Sequence, residues 1–204
     1  MKKIMFNERY GLQQAVLERR KTMTRRTLKR PKKFMGVEDV ELEFHKRPVQ
    51  DFYYDCVVVD ADGHELGQLP LPYEIGDVVA IAQPYKDVIN PLDWVNTIIY
   101  KDEEGWTNKM YVRADMMLHH IRITDLWFER LQDISDEDCM KEGIAKGDFK
   151  DFPQQMYFPY KGCKDTEVTW TPQGAFHILI DKVSGKGTWD DNLWQIAYTF
   201  ELVD

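Results

Sequence analysis

Trp194-Gln195-Ile196-Ala197-Tyr198-Thr199-Phe200-Glu201-Leu202 alternates large apolar residues with small or polar ones along its whole length. A side-chain period of two marks a strand with one face turned to a core. The run predicts a long, half-buried β-strand late in the chain, and therefore a sheet for it to join.

Working upstream, Thr171-Pro172 reads as a helix start, a capping residue followed by proline at the first helical position. Phe176, Leu179, Ile180 and Val183 then recur at i, i+3, i+4 and i+7 until Gly185 stops the pattern. Ser135-Asp136-Glu137-Asp138 opens a shorter helix, with Ser135 as cap, Asp138 closing a capping box and Gly143 ending it. A third helix is expected over residues 8–20, entered through Asn7 and weakened by Gly11. Strands are expected at Lys3–Phe6, Thr22–Leu28, Val78–Ile81, Lys109–Arg113 and Ile121–Phe128. Asp60-Ala61-Asp62-Gly63, between Phe52–Val59 and Glu65–Leu69, is a hairpin turn signal; it lacks the remaining ligands of a calcium loop. The expected fold is α+β: one domain over residues 1–204, whose mixed, mainly antiparallel sheet curls into a small β-barrel. Three helices and long insertions near 30–70, 86–108 and 145–170 complete it.

Composition narrows the function classes. Hydrophobic residues make up 43% and aromatics 13% of the 204 residues, enough for a core and against wholesale disorder. No apolar run approaches the ~20 residues that span a bilayer. The apolar part of Met1–Asn7 is short for a secretory signal, so a cytoplasmic location and no membrane partner are expected. Cys56, Cys139 and Cys163 show no paired spacing, and the five histidines show no ligand spacing, so no metal or other cofactor is expected. Adjacent His119 and His120 point to opposite faces of a strand and cannot chelate together.

The net charge of −8 is unevenly spread. Residues 1–33 hold twelve Lys/Arg against two Glu, whereas residues 34–204 hold fifteen Lys/Arg against thirty-three Asp/Glu. An acidic bulk repels phosphate and argues against general DNA coating, while the basic segment can still hold one phosphate or a short nucleic-acid stretch. A solvated helix end accounts for the same charges.

Within the basic segment lies Lys21-Thr22-Met23-Thr24-Arg25-Arg26. A threonine hydroxyl becomes a nucleophile only when a base takes its proton. A lysine serves as that base when burial or neighbouring cations lower its pKa, and Arg19, Arg20, Arg25 and Arg26 surround Lys21. Positions 21 and 24 face opposite sides of an ideal strand, so Lys21 must lie in the turn before it or fold its stem over. Glu142 sits in a last helical turn directly before Gly143, where the helix dipole disfavours a carboxylate and suits proton transfer. On composition alone an ordinary exposed lysine before a strand threonine is the better reading, and Glu142 reads also as a solvated glutamate.

Leu17-Glu18-Arg19-Arg20-Lys21-Thr22-Met23-Thr24-Arg25-Arg26 resembles the N-terminal signature of the ASCH domain family, larger phage and prophage members above all. Tyr73–Val78, Ile121–Thr124, Leu131–Asp138 with Glu142-Gly143-Ile144, and Trp189–Trp194 agree in order. The resemblance implies a PUA-like barrel in a bacterial or phage-infected cell. It implies binding of RNA or of a nucleotide or modified nucleoside in a cleft beside the barrel. It also implies a second possibility, an amidohydrolase of acetylated cytidine with Lys21 as base, Thr24 as nucleophile or water-orienting hydroxyl and Glu142 as proton carrier. Arg25, Arg26 or backbone amides would hold the oxyanion. Arg20, Thr22, Arg25, Arg26, Gln83, Trp94, Trp189 and Asn192 are the expected ligand contacts. Three positions depart from the pattern: Arg19 replaces a frequent glycine, Gln83 a frequent glutamate and Leu193 a frequent proline. A third function, an accessory protein binding a host protein through its acidic surface, fits the charge.

Overall fold

The structure is a computed structural model that describes residues 1–46, 54–88, 105–147 and 154–203. In chain order its elements are β1 (Lys3–Ile4), α1 (Leu12–Leu17), β2 (Met23–Thr27), β3 (Lys33–Phe34), β4 (Val37–Glu38), β5 (Glu41–Lys46), β6 (Tyr54–Val59), β7 (Glu65–Gln68), β8 (Val78–Ile81) and α2 (Tyr85–Val88). They continue with β9 (His120–Arg130), α3 (Asp136–Lys141), β10 (Ala145–Gly147), β11 (Met156–Phe158), α4 (Pro172–Ser184), α5 (Thr188–Asp191) and β12 (Trp194–Leu202).

The alternating run is β12, and it is an interior strand. The main sheet has the order β1-β8-β9-β12-β2, with β1 parallel to β8 and the other pairs antiparallel. Because β12 is flanked by β9 and β2, it is more deeply covered than its pattern suggests: Gln195 and Ala197 are buried as well as Ile196 and Tyr198. The buried Gln195 amide remains hydrogen-bonded, accepting from Thr27 Oγ1 at 3.3 Å and donating to Leu193 O at 3.2 Å, which removes the penalty of an unpaired polar group. Val79, Ile81, Ile121, Ile123 and Ile196 form one core with Leu12 and Val16 of α1 and Ala175, Phe176 and Leu179 of α4. Each large side chain so buried contributes ~1.5–3 kcal/mol.

The sheet does not close into the expected barrel. Closure requires hydrogen bonds between the edge strands β1 and β2, and among the described residues the sheets are all open, with β1 and β2 left as edges. A side chain spans the gap instead: Arg26 Nη2 donates to Met5 O at 2.7 Å. The other sheets are β5-β6-β7, β3-β4 and β10-β11. The first packs on the main sheet through Phe44, whose ring lies 4.7 Å from that of Phe128 and 4.4 Å from that of Trp194.

Other expectations change in detail. Five helices stand among the described residues, rather than three. The first is confined to Leu12–Leu17 because Gly11, with φ 64°, turns the chain immediately before it. Lys109–Arg113 holds no strand; Arg113 precedes a 3₁₀ turn. Ser135 and Thr171 cap their helices as expected, accepting from Asp138 N and Gly174 N, each at 3.1 Å. The Asp138 carboxylate does not close a capping box back onto Ser135; it faces Lys141 at 3.0 Å. Phe52 and most of the 86–108 insertion lie outside the described residues. No helix among the described residues is long and apolar enough to cross a membrane.

Candidate functional site

The seam between the two sheet edges holds the candidate site. Helix α1 ends in a Schellman motif: Arg20 N donates to Ala15 O and Arg19 N to Val16 O, both at 2.9 Å. Arg19 occupies the left-handed position at φ 56° that this motif normally gives to glycine. The reversal directs Lys21 inward, and Lys21 N also bonds Ala15 O at 2.9 Å. Strand β2 begins only at Met23, so Lys21 lies in the turn before it and the parity conflict with Thr24 disappears.

Glu142 arrives from the other side, as the C-cap of α3, with its N–H on Asp138 O at 2.9 Å. Gly143 follows at φ 102° and packs on the Lys21 stem, where a Cβ would sit 3.5 Å from Lys21 Cβ. The backbone angle, more than the space, requires glycine there. Thr22 N donates to Lys141 O at 2.9 Å and ties the two segments together.

Lys21 and Glu142 therefore meet in the interior, 3% and 4% exposed. Lys21 Nζ donates to Glu142 Oε2 at 2.5 Å and to Glu142 O at 2.8 Å. Arg25 Nη1 donates to the other carboxylate oxygen, Oε1, at 3.0 Å. Arg25 is held in turn by Glu129, which accepts from its Nε at 2.8 Å and from its Nη2, and Asp138 Oδ2 lies 3.7 Å from Nη2. Buried ion pairs of this kind offset a large desolvation cost only when their hydrogen bonds are complete. Burial is the largest influence on Lys21 and pulls its pKa below the usual lysine range; the Glu142 carboxylate opposes this, and Arg26 and Arg25 add to it. For Arg25, burial acts downward, but Glu142 and Glu129 together outweigh it and raise the pKa.

A cavity of about 70 Å³ opens here, lined by Lys21, Thr24, Arg25, Arg26 and Glu142. Its apolar wall includes Phe6, Leu12, Phe176 and Leu179. The space suits a small acyl group or a few water molecules. Arg26 carries a buried Nε without a hydrogen-bond partner among the described residues. Burial also lowers the Arg26 pKa.

The remaining expected contacts go elsewhere. Arg20 lies outside this cavity, paired with Glu18 Oε2 at 2.7 Å, and Thr22 contributes the backbone tie described above. Gln83 is buried in a structural role, accepting from Leu118 N at 2.8 Å. Trp189 stacks on His177 with centroids 5.3 Å apart, and Asn192 caps α5 in the left-handed conformation while accepting from Gln132 N at 2.9 Å. Neither of these lines the cavity. Trp94 lies outside the described residues. The Asp60 hairpin turn brings ligand atoms of Asp60, Asp62 and His64 within 4.8 Å of one another, although His64 shows no metal spacing in sequence. Asp60 Oδ1 there accepts from Asp62 N and His64 N, both at 2.9 Å, and so closes the turn. Sequence reasoning missed Glu129 and the aromatic walls Phe6 and Phe176. Glu129 is recognisable only once the β9–β12 register places it opposite Gln195.

Comparison with protein-family models, curated proteins and solved structures gave no match to this chain.

Proposed function

We propose that the protein is an amidohydrolase that removes a small acyl group from an amide nitrogen of a nucleoside-type substrate such as acetylcytidine. The observation that carries this reading is the buried Lys21–Glu142 pair opening on a small cavity that Thr24 also lines. A buried lysine whose pKa is lowered by desolvation, beside a charge partner in a cleft, marks a functional site more often than chance. The ASCH resemblance of residues 17–26 and 142–144 supplies the substrate class.

In this mechanism the neutral Lys21 amine accepts the Thr24 hydroxyl proton while Oγ1 attacks the acyl carbon. The carbonyl electron pair moves to oxygen, and Arg26 donates hydrogen bonds to the oxyanion. Collapse breaks the C–N bond, and the leaving nitrogen takes a proton from the Lys21 ammonium. Glu142 stabilises that ammonium. Water then hydrolyses the threonine ester with Lys21 again as base, releasing a carboxylic acid and restoring the hydroxyl. The nucleoside body stays outside the 70 Å³ cavity, with the acyl group inside.

The test is incubation with acetylcytidine, following cytidine release. Wild-type turnover that disappears in Thr24→Val supports the reading; wild-type turnover retained in that variant rejects it. A second reading, binding of a nucleotide or RNA without turnover, is favoured by the completeness of the Glu142 contacts, both carboxylate oxygens being engaged by cations. Saturable binding of acetylcytidine with no product would select it.

A further inference from the structure

We infer that Glu129 is a positioning residue for the candidate site: by holding one edge of the Arg25 guanidinium, it aims the other edge at one oxygen of Glu142 and leaves the second oxygen to Lys21. Its effect on the reaction rests on the amidohydrolase reading; its effect on Lys21 does not.

Glu129 and Arg25 are not on neighbouring strands. β12 runs between β9 and β2, so the pair must bridge two strand spacings of about 4.8 Å each. The register allows it. Arg25 and Trp127 stand on either side of Ala197, and Glu129 stands opposite Gln195, two residues along. Directly opposed residues share a face, and at the crossing point that face carries only the methyl group of Ala197. The Arg25 side chain, 1% exposed, passes over it to a carboxylate that is 16% exposed.

The contacts are divided between the two glutamates. Glu129 Oε1 accepts from Arg25 Nε at 2.8 Å and from Nη2, while Glu129 Oε2 accepts from Trp127 Nε1 at 2.9 Å. Arg25 Nη1 is left, and it donates to Glu142 Oε1 and Met23 Sδ, both at 3.0 Å. The indole fixes the carboxylate, the carboxylate fixes the guanidinium, and the guanidinium fixes the glutamate that Lys21 contacts. Charge-assisted bonds of this kind set direction as well as energy. A misplacement of about 1 Å at a reacting group costs on the order of 100-fold in rate.

Charge follows the same route. Arg25 is faced by Glu142, Asp138 and the Cys139 thiol from α3 and by Glu129 from β9. Asp138 Oδ2 stands at 3.7 Å, beyond hydrogen-bond reach, and its other oxygen is on Lys141 at 3.0 Å. Burial pushes the thiol up to about 12, so it stays neutral. Glu129 is thus the carboxylate, besides Glu142, in hydrogen-bond contact with Arg25. Lys21 in turn faces Glu142, Arg25 and Arg26. Without the Glu129 charge, Arg25 leans on Glu142 alone and repels the Lys21 ammonium more strongly.

The experiment titrates Lys21 by NMR in the full chain, isotope-labelled at the lysine ε-carbons, the Lys21 signal being the one lost in Lys21→Met. The pH–rate profile with acetylcytidine is recorded beside it. In Glu129→Gln the Lys21 titration and the rate limb are expected to move to lower pH, and plateau turnover to fall about tenfold or more. Trp127→Phe keeps the charge and is expected to leave the titration in place, which separates the charge from a general loosening. Should urea unfolding show that Glu129→Gln does not fold, Glu129→Asp takes its place. It draws the charge back by one methylene and is expected to move the titration the same way by less. A titration that stays in place, moves to higher pH, or moves equally in Trp127→Phe overturns the inference. A wild type without turnover whose titration is displaced by Glu129→Gln rejects the hydrolase reading and keeps this one; turnover with an unmoved titration does the reverse.

Discussion

Lys21 Nζ donates to both the side-chain carboxylate and the backbone carbonyl of Glu142, at 2.5 and 2.8 Å. One amine thus fixes the position of the carbonyl at the C-cap of α3 and neutralises the carboxylate beside it. Glu142 serves two cations, Lys21 and Arg25, which makes the pair asymmetric. Replacing Glu142 with Gln leaves Lys21 buried without its counter-charge and is expected to cost about 3–5 kcal/mol. Lys21→Met leaves Glu142 still paired with Arg25 and costs clearly less. Urea denaturation of both variants gives the order; an equal or reversed cost contradicts the arrangement.

Thr24 faces the cavity without a side-chain hydrogen bond in the set that ties Lys21, Arg25 and Glu142 together. Thr24→Val keeps its shape and β-branching. Stability is expected to change by less than ~1 kcal/mol, while turnover of acetylcytidine falls by at least ~100-fold. A large stability loss would place the hydroxyl in the framework instead.

The rate should follow the Lys21 proton. Its pKa is lowered by burial, so activity rises with pH and levels off below the ~10.4 of an ordinary lysine. Glu142 is the group that holds this pKa up. In Glu142→Gln the limb is therefore expected to move to lower pH, with burial and the arginines unopposed. The stability sign agrees: a depressed folded-state pKa means that stability on this group's account is present above the ordinary lysine value and lost as pH falls through the folded one. A pH–rate limb that stays in place in the variant rules out Lys21 as the titrating base.

Burial pushes the Cys56 thiol up to about 11 and the Cys139 thiol up to about 12, and it raises Tyr73 and Tyr198 as well. These folded-state values lie above the unfolded ones, so the stability is present below ~8.5 for the thiols and ~10 for the phenols and is lost as pH rises through the folded values. Lys21 acts oppositely in the same window but alone. The urea midpoint is expected to fall between about pH 8 and about pH 11; a flat or rising midpoint would show that these groups are solvated.

Arg19 is strained where a glycine would not be. A non-glycine residue in the left-handed region costs roughly 1–2 kcal/mol, partly offset by the chain entropy that glycine loses on folding. Arg19 is exposed, and the predicted stability order is Arg19→Gly above wild type above Arg19→Val. Thermal unfolding checks this, and a glycine variant less stable than the wild type contradicts it.

The legible parts of the fold were those governed by local rules. The β12 alternation, the Ser135 and Thr171 caps and the Gly143 and Gly185 stops each depend on a few neighbouring residues, and each stands where its chemistry places it. The barrel was not legible, because closure depends on whether β1 and β2 meet, and a two-residue β1 followed by Met5, Phe6 and Asn7 leaves a side chain to bridge the gap. The convergence of Lys21, Thr24 and Glu142 is expected from a resemblance alone, while the burial of the Lys21 and Glu142 charges depends on Arg25, Glu129 and α4. Trp189 and Asn192 look like ligand contacts in sequence and act as framework, since an aromatic stack and a left-handed cap carry no mark that distinguishes them from a binding site.

The most direct measurement compares acetylcytidine turnover in Lys21→Met, Thr24→Val and the double variant. If the two side chains act as one unit in one cavity, each single change abolishes most of the activity and the double variant is scarcely worse. Wild-type turnover in either single variant, or losses that simply multiply, would contradict the account.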